Sequence, residues 1–211
     1  MRRGALLLVF SLIGSPLHAG PSTPPWFPGS CSRIPTRIVL VGQSGGIADA
    51  TLGTFEVDVC RFSNPSAFAS VAVALQNAAG LRLGRGSTPA PRVLNCATLA
   101  AVFQADASGR CRITLTGSAF APELMEGPCV ARIYGNGVGF GDVSLVCYDL
   151  DGAAGIGIND LSQRLTLLGS GGYYGVADYD GDGALDVNDL SMWIDAFSRG
   201  TSTETSPTGC P

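Results

Sequence analysis

Five aspartates are clustered in the twelve-residue segment DYDGDGALDVND, which spans positions 178–189. Asp178, Asp180 and Asp182 alternate at its start, so a compact turn would bring their carboxylates into one small volume. Carboxylates that lie so close repel one another unless a cation neutralises them. Calcium suits a flexible cage of oxygen ligands better than magnesium, which needs stricter geometry. We therefore predict a calcium site here; an ordinary acidic surface turn is the alternative.

The spacing within this segment, called loop 2, matches the EF-hand calcium loop. Gly183 stands at position six, where a sharp turn needs a positive φ that glycine adopts without strain. The remaining ligands would come from the backbone carbonyl of Ala184, from Asp186 directly or through water, and from Asp189 at position twelve. Most EF-hands use Glu at that last position.

A weaker copy, DLDGAAGIGIND, occupies positions 149–160 and is called loop 1. Asp149, Asp151 and Asp160 stand at positions one, three and twelve, whereas alanines occupy positions five and six. Gly155 would offer its backbone carbonyl. Because fewer carboxylates would surround the ion, we expect loop 1 to bind calcium more weakly than loop 2. The alternative is a loop that binds no ion and is held in place by its neighbour.

Each loop continues into a segment with helical periodicity, and the sequence Asn-Asp-Leu-Ser begins both segments. Two such units can bury their apolar faces against each other, which neither could do alone. We therefore predict that the apolar and aromatic stripe of each helix is chiefly core. The stripe residues are Leu161, Leu165 and Leu168 in the first helix and Leu190, Trp193, Ile194 and Phe197 in the second.

Two calcium loops that are each followed by a single helix resemble a dockerin domain. Loops that end in Asp and helices that start with Asp-Leu, as at 160–161 and 189–190, are typical of that family. The resemblance assigns residues 148–200 to a dockerin-like calcium-binding domain. It implies a protein partner, either cohesin-like or another surface module. Dockerins attach secreted proteins, often polysaccharide-degrading enzymes, to bacterial scaffolds or cell surfaces. This chain differs from the family at loop positions ten and eleven, where Ser-Thr-like pairs are common.

Residues 31–147 have the character of a β domain, with short apolar runs separated by Gly, Asn, Ser and Pro. Several runs alternate, which is typical of strands with one buried side. The stretch from Cys96 to Phe103 could instead form one or two helical turns. We predict a mainly β fold in which an antiparallel β-sandwich precedes a small α-helical pair. The runs are 37–42, 54–62, 70–75, 111–117, 129–135 and 142–148.

The segment ADASGRCRITLTG at 105–117 predicts a turn followed by an alternating strand. It resembles the Asp-x-x-Gly-x-x-x-Ile-x-Leu signature of bacterial immunoglobulin-like repeats in surface proteins. The likeness covers one hairpin, and it implies an immunoglobulin-like sandwich at 31–147.

The N-terminus has the features of a secretory signal peptide at 1–19: two arginines, a short apolar run and a small residue, Ala19. That run is shorter than the roughly 20 residues that cross a bilayer, and no later run is longer. We therefore predict a secreted or cell-surface protein with no transmembrane segment; a buried N-terminal helix is the alternative. A proline-rich linker is expected at 20–30 and a polar tail at 201–211.

The composition argues against several functional classes. Charged residues make up 14% of the chain and the net charge is -4, so binding to nucleic acid has no electrostatic support. Ser44 in GQSGG fits a serine-hydrolase pattern, but such a serine needs a base. The chain has no lysine, and its single histidine, His18, lies in the signal peptide. No recognisable carboxylate pair of a glycosidase is present either. We predict a non-catalytic protein.

Seven cysteines in an exported chain favour disulfides over free thiols. No Cys-x-x-Cys spacing occurs, so a zinc site is not expected. The odd count leaves at least one cysteine unpaired or joined to another chain. Spacing does not determine the connectivity, and Cys60–Cys96 is one candidate pair.

Overall fold

The computed structural model describes residues 31–41, 43–44, 47–48, 53–61, 64–76, 78–84, 86–198 and 203–204 of the 211-residue chain. The predicted signal peptide, the linker and all but two residues of the tail lie outside these ranges. The described part is mainly β, as predicted. Its two helices are α1 (Ile158–Ser170) and α2 (Val187–Ser198). Neither helix has the length and apolar character needed to span a bilayer.

Each of the six apolar runs overlaps a strand, which confirms that strands form at these positions. Short strands between them complete the set in the described residues. In chain order the strands are β1 Arg37–Leu40, β2 Gln43–Ser44, β3 Ile47–Ala48, β4 Thr54–Asp58, β5 Cys60–Arg61, β6 Asn64–Pro65, β7 Ser70–Gln76, β8 Leu81–Leu83, β9 Val93–Asn95, β10 Ala100–Gln104, β11 Arg110–Thr114, β12 Gly117–Ala119, β13 Val130–Gly135, β14 Val138–Cys147, β15 Ala154–Gly155 and β16 Thr203–Glu204.

Six strands form the main sheet, in the order β1-β14-β13-β7-β10-β9. Neighbours pair antiparallel except at one edge, where β1 runs parallel to β14 with Ile38 opposite Leu145. The prediction of a wholly antiparallel arrangement is therefore wrong at this edge. A parallel neighbour fits here because β1 and β14 are far apart in sequence and no hairpin has to join them.

Two-stranded pairs, β4 with β11 and β8 with β12, contribute a second set of buried side chains. Phe55 and Val57 of β4 and Ile113 of β11 belong to the same hydrophobic core cluster as Ile133 and Leu145 of the main sheet. The strands bury alternate residues because successive side chains point to opposite faces.

The stretch that could have been helical, Cys96 to Phe103, instead leads into strand β10. Ala101 and Phe103 are buried and alternate with partly exposed neighbours. Val102 lies opposite Ala72 of β7 on one side and opposite Val93 of β9 on the other, so both edges of β10 are paired within the sheet. This alternation of buried and partly exposed residues is typical of a strand, and it places Phe103 in the core.

The turn predicted near residue 106 is present. The Asp106 carboxylate accepts hydrogen bonds from the backbone N–H groups of Ser108 at 2.7 Å and Arg110 at 3.1 Å. Gly109 adopts a φ of 77°, the left-handed conformation that favours glycine. Strand β11 follows, as the alternation of this segment indicated, and the structure pairs it with β4.

Cys60 forms a disulfide with Cys31, so the candidate pair Cys60–Cys96 is wrong. Cys96 is also disulfide-bonded. The remaining cysteines of the described part, Cys111, Cys129 and Cys147, are buried free thiols. The prediction that the cysteines form disulfides therefore holds for only some of them, because the side chains of these three lie in the hydrophobic core.

The segment after β14 shares its core with the β strands. Tyr148, Val176 and Trp193 belong to the cluster that contains the main-sheet residues. A backbone bridge reinforces this contact: Gly127 donates to the Tyr173 carbonyl at 2.6 Å, and Gly175 donates to the Gly127 carbonyl at 2.9 Å. A Cβ at Gly175 would lie 2.7 Å from the Cys129 nitrogen, so only glycine fits. Loops and helices are thus built onto the β strands.

Candidate metal centre

Loop 2 brings three of its predicted ligands together. Asp178, Asp180 and Asp182 each offer a carboxylate oxygen, and these oxygens lie within 4.8 Å of one another. Asp178 is buried, whereas Asp180 and Asp182 are exposed. An arrangement of three anionic oxygens with one protected side can hold a metal ion.

Backbone hydrogen bonds hold the first carboxylate of loop 2 in place. Asp178 accepts from the N–H of Gly181 at 2.7 Å and from the N–H of Gly183 at 3.0 Å, one on each oxygen. Both glycines have positive φ, 79° and 89°. The turn at Gly183 that the sequence predicted is therefore present, and it directs N–H groups toward Asp178.

Asp189 closes loop 2 at the start of α2 and is fully buried. One carboxylate oxygen accepts from the N–H of Tyr179 at 2.6 Å and of Asp180 at 3.2 Å, and the other accepts from the N–H of Asp186 at 2.9 Å. Asp189 thus ties the beginning of the loop to its end. Asp186 and Asp189 are not members of the three-carboxylate cluster. Ala184, the predicted carbonyl ligand, is exposed.

Loop 1 brings Asp149, Asp151 and Asp160 within the same 4.8 Å. Its backbone bonds repeat those of loop 2: Asp160 accepts from Leu150 at 2.6 Å, Asp151 at 3.0 Å and Gly157 at 2.6 Å. Asp149 accepts from Gly152, whose φ is 69°. Loop 1 therefore keeps the loop-2 frame although it lacks the acid at position five. Gly155, its predicted carbonyl ligand, lies in strand β15, which pairs with β16.

Burial raises the pKa of two loop-1 acids. Burial, followed by the charge of nearby Asp160, raises the pKa of Asp149 from 3.8 to about 8. Burial also raises the pKa of Asp160. Two desolvated carboxylates in one small volume favour either a shared proton or a cation. The clustered side-chain donors of each loop are all carboxylate oxygens, which fit a hard divalent cation.

Tyr173 is a site residue that sequence reasoning missed. Its hydroxyl donates a 2.7 Å hydrogen bond to the carboxylate of Asp178, the first acid of loop 2. Burial, together with that hydrogen bond, raises the pKa of Tyr173 well above its ordinary value. The phenol therefore stays protonated and keeps donating to Asp178. Its place in the glycine-rich segment between α1 and loop 2 gave no signal of this contact.

Arg164 on α1 is a second missed residue, and it is almost fully buried against loop 2. Its guanidinium donates to the carbonyl of Ala177 at 2.9 Å and to that of Asp186 at 3.1 Å. It also lies 3.7 Å from the carboxylate of Asp189. An available signal was the internal repeat, in which Arg164 occupies the position of Trp193.

The helices bury a different face from the predicted one. Trp193 is buried as expected, but Leu165, Leu168, Ile194 and Phe197 are exposed, so their prediction as core is wrong. The buried face of the helices instead combines apolar side chains with Asp160, Arg164 and Asp189, which hydrogen-bond the loop backbones or lie against their acids. The buried positions repeat between helices: Asp160, Arg164 and Leu167 in α1 correspond to Asp189, Trp193 and Ala196 in α2.

Ser44 lies in the short strand β2, which pairs with β3.

The sequence matches none of the protein-family models, and none of the curated proteins, with which it was compared.

Proposed function

We propose that this chain is a secreted, non-catalytic protein whose C-terminal segment binds calcium in a dockerin-like pair of loops and attaches it to a protein partner. The proposal treats residues 31–147 as an immunoglobulin-like sandwich that serves as cargo or spacer. The Cys31–Cys60 disulfide supports export, because such bonds persist in oxidising compartments.

Calcium is the proposed ion because every candidate side-chain ligand is a carboxylate and loop 2 places three of them within 4.8 Å. Magnesium usually keeps several waters and takes only one or two protein carboxylates, whereas calcium accepts six to eight oxygens in variable geometry. Loop 2 is the stronger site, since it has two acids, Asp182 and Asp186, that loop 1 replaces with Ala153 and Gly157.

The observation that carries the attachment proposal is a duplicated set of exposed apolar side chains. Ten large apolar side chains are exposed in the described part of the chain, and six of them lie on α1 and α2. A concentration of exposed apolar side chains on two elements is typical of interaction surfaces. The six are three pairs related by the internal repeat: Ile158 with Val187, Leu165 with Ile194, and Leu168 with Phe197.

The proposed occupant is a folded protein with an apolar patch, in the manner of a cohesin module. Its binding would require calcium, because α1 and α2 begin at the acids that close the loops. The capture experiment uses the mature chain and the secreted proteins of the source organism, with calcium or with chelator. A captured protein is then purified, and its affinity is measured for wild type, for Leu165→Ser with Ile194→Ser, and for the control Leu124→Ser, an exposed leucine far from both helices in sequence.

Attachment predicts calcium-dependent binding that the paired helix substitutions abolish and the control leaves unchanged. Self-association of the chain, measured by sedimentation, would identify a second copy as the occupant and contradict the proposal. The absence of any calcium-dependent partner would leave the second candidate function.

That second candidate is a structural surface protein whose calcium loops only stabilise the fold. The shared core favours it, because Trp193 and Tyr179 are buried in the same hydrophobic cluster as the main-sheet side chains. An ion that binds only the folded state adds about 2.7 kcal/mol of stability at a hundredfold excess over Kd. A large calcium-induced rise in melting temperature without a partner would support this function.

A further inference from the structure

The two loops are joined by a reciprocal pair of hydrogen bonds. Arg164 of α1 donates to the carbonyl of Ala177, the residue before loop 2, at 2.9 Å. Trp193 of α2 donates through its indole N–H to the carbonyl of Tyr148, the residue before loop 1, at 3.4 Å. The two donors occupy the same position of the internal repeat, and so do the two acceptors. Each helix therefore holds the start of the other loop.

Both bonds are buried, so water does not compete for them. Arg164 and Trp193 each have only 2% of their surface exposed. A buried carbonyl that loses its donor carries the full desolvation penalty. We call these two hydrogen bonds, from Arg164 and Trp193, the clamp. Their acceptors are the carbonyls of the residues directly before Asp149 and Asp178, so the clamp fixes the chain where each loop presents its first carboxylate.

The clamp is stronger on the loop-2 side. Arg164 also donates to the Asp186 carbonyl at 3.1 Å and stands 3.7 Å from the Asp189 carboxylate. Its guanidinium lies over the ring of Tyr179, 5.0 Å from the centroid. One side chain of α1 thus touches the beginning, the middle and the end of loop 2, and any ordering of loop 2 acts on α1.

We propose that Arg164 and Trp193 are positioning residues that couple the loops, so that an ion bound in loop 2 also orders loop 1. The inference rests on the proposed calcium function. Coupling requires that both sites bias one element, and the clamp supplies such an element because α1 follows loop 1 and holds loop 2. Loop 1, which has fewer ligands, thereby depends on its neighbour.

The test is amide hydrogen exchange of the mature chain, with calcium and with chelator, in an Asp151→Asn background that weakens ion binding to loop 1 itself. Exchange is followed at Gly181 in loop 2 and at Leu150 and Gly152 in loop 1. We expect calcium to slow exchange in both loops, and the loop-1 amides by about fivefold or more.

Trp193→Phe, which keeps an aromatic ring but removes the N–H donor, should abolish the loop-1 effect and retain the loop-2 effect. Arg164→Lys is the second variant if Trp193→Phe does not fold. Leu167→Ala, which removes a buried side chain from the same face of α1 without touching the clamp, should retain both effects.

The outcomes separate the two proposals. No slowing in loop 2 means that the calcium function itself is wrong. Slowing in loop 2 alone, in the Asp151→Asn parent, overturns the coupling while the calcium site stands. If calcium still slows amide exchange at Leu150 and Gly152 in a folded clamp variant, Arg164 and Trp193 do not couple the loops.

Discussion

The hydroxyl of Tyr179, the second residue of loop 2, donates to the carbonyl of Cys147, the last residue of strand β14, at 3.1 Å. Both residues are completely buried. The ring of Tyr179 also stacks on that of Tyr148, with centroids 4.4 Å apart. A residue of the candidate metal loop is therefore anchored directly in the main sheet, and the loop and the sheet should unfold together.

Tyr179→Phe keeps the ring and its stacking but leaves the Cys147 carbonyl without this donor. We expect a loss of about 1–2 kcal/mol in the free energy of unfolding, from the hydrogen bond lost at a buried carbonyl. Denaturant unfolding followed by fluorescence and circular dichroism checks this, and a single transition is expected. Tyr134→Phe, on a partly exposed tyrosine of β13, is the control and should change stability by less than about 0.5 kcal/mol. Two separate transitions in wild type would contradict the anchoring.

Asp182→Ala removes one of the three clustered carboxylates of loop 2. Because the ligand charge falls and one oxygen ligand is lost, we expect the calcium Kd of the stronger site to rise about tenfold or more. Isothermal titration measures it. Glu123→Ala removes the same charge outside both loops and should leave the Kd nearly unchanged. Equal binding by Asp182→Ala and wild type would remove Asp182 from the site.

Ala153→Asp places a carboxylate at position five of loop 1, the position that Asp182 occupies in loop 2. Ala153 is exposed, so the new side chain meets no packed neighbour. The added charge should tighten calcium binding to loop 1 about tenfold, visible as a second strong site by titration. Ala153→Ser, with a smaller neutral oxygen, should give a smaller gain. If titration of Ala153→Asp shows no tighter second site than wild type, loop 1 does not hold calcium.

The buried thiols predict how stability depends on pH. Burial raises the pKa of Cys111 from 9.0 to about 11 and that of Cys129 from 9.0 to about 12. In the unfolded chain both thiols lose their protons above about pH 9. Between there and their folded values the unfolded state binds fewer protons, so the free energy of unfolding falls as pH rises.

Cys129→Ala should flatten that fall relative to wild type by up to about 1.4 kcal/mol per pH unit, measured by denaturant unfolding between pH 8 and 10.5. Below pH 8 both forms of the protein should show no slope from this group. A slope unchanged by the substitution would mean that Cys129 is not desolvated.

Much of the fold could be predicted because alternation is a local property. Phe55 and Val57 are buried while Glu56 is exposed, as the period of two required. The parallel pairing of β1 with β14 could not be predicted in this way, since it depends on which distant strand reaches that edge. The disulfide partner of Cys60 depends on the same kind of long-range placement.

The candidate site was predictable as far as its ligands, since Asp178, Asp180 and Asp182 follow a fixed spacing within one turn. The surroundings were not. Ile194 has the helical spacing of a core residue yet is exposed, and Arg164 has the character of a surface residue yet is buried. Helical periodicity identifies an apolar face but not which face the neighbouring elements cover, and here loop carbonyls and a carboxylate needed a buried donor.

The hydrophobic core common to strands and loops limits what protein engineers can do with this C-terminal segment. Fused alone to a foreign host, residues 148–198 would lack the β-strand side chains that share one buried hydrophobic cluster with Leu150, Val176 and Trp193. They would also leave behind Cys147, whose carbonyl holds Tyr179. A transplantable tag would therefore need polar replacements at the apolar side chains that now share the core with the β strands. Alternatively, strand β14 and the Gly127 bridge would have to be transferred with it.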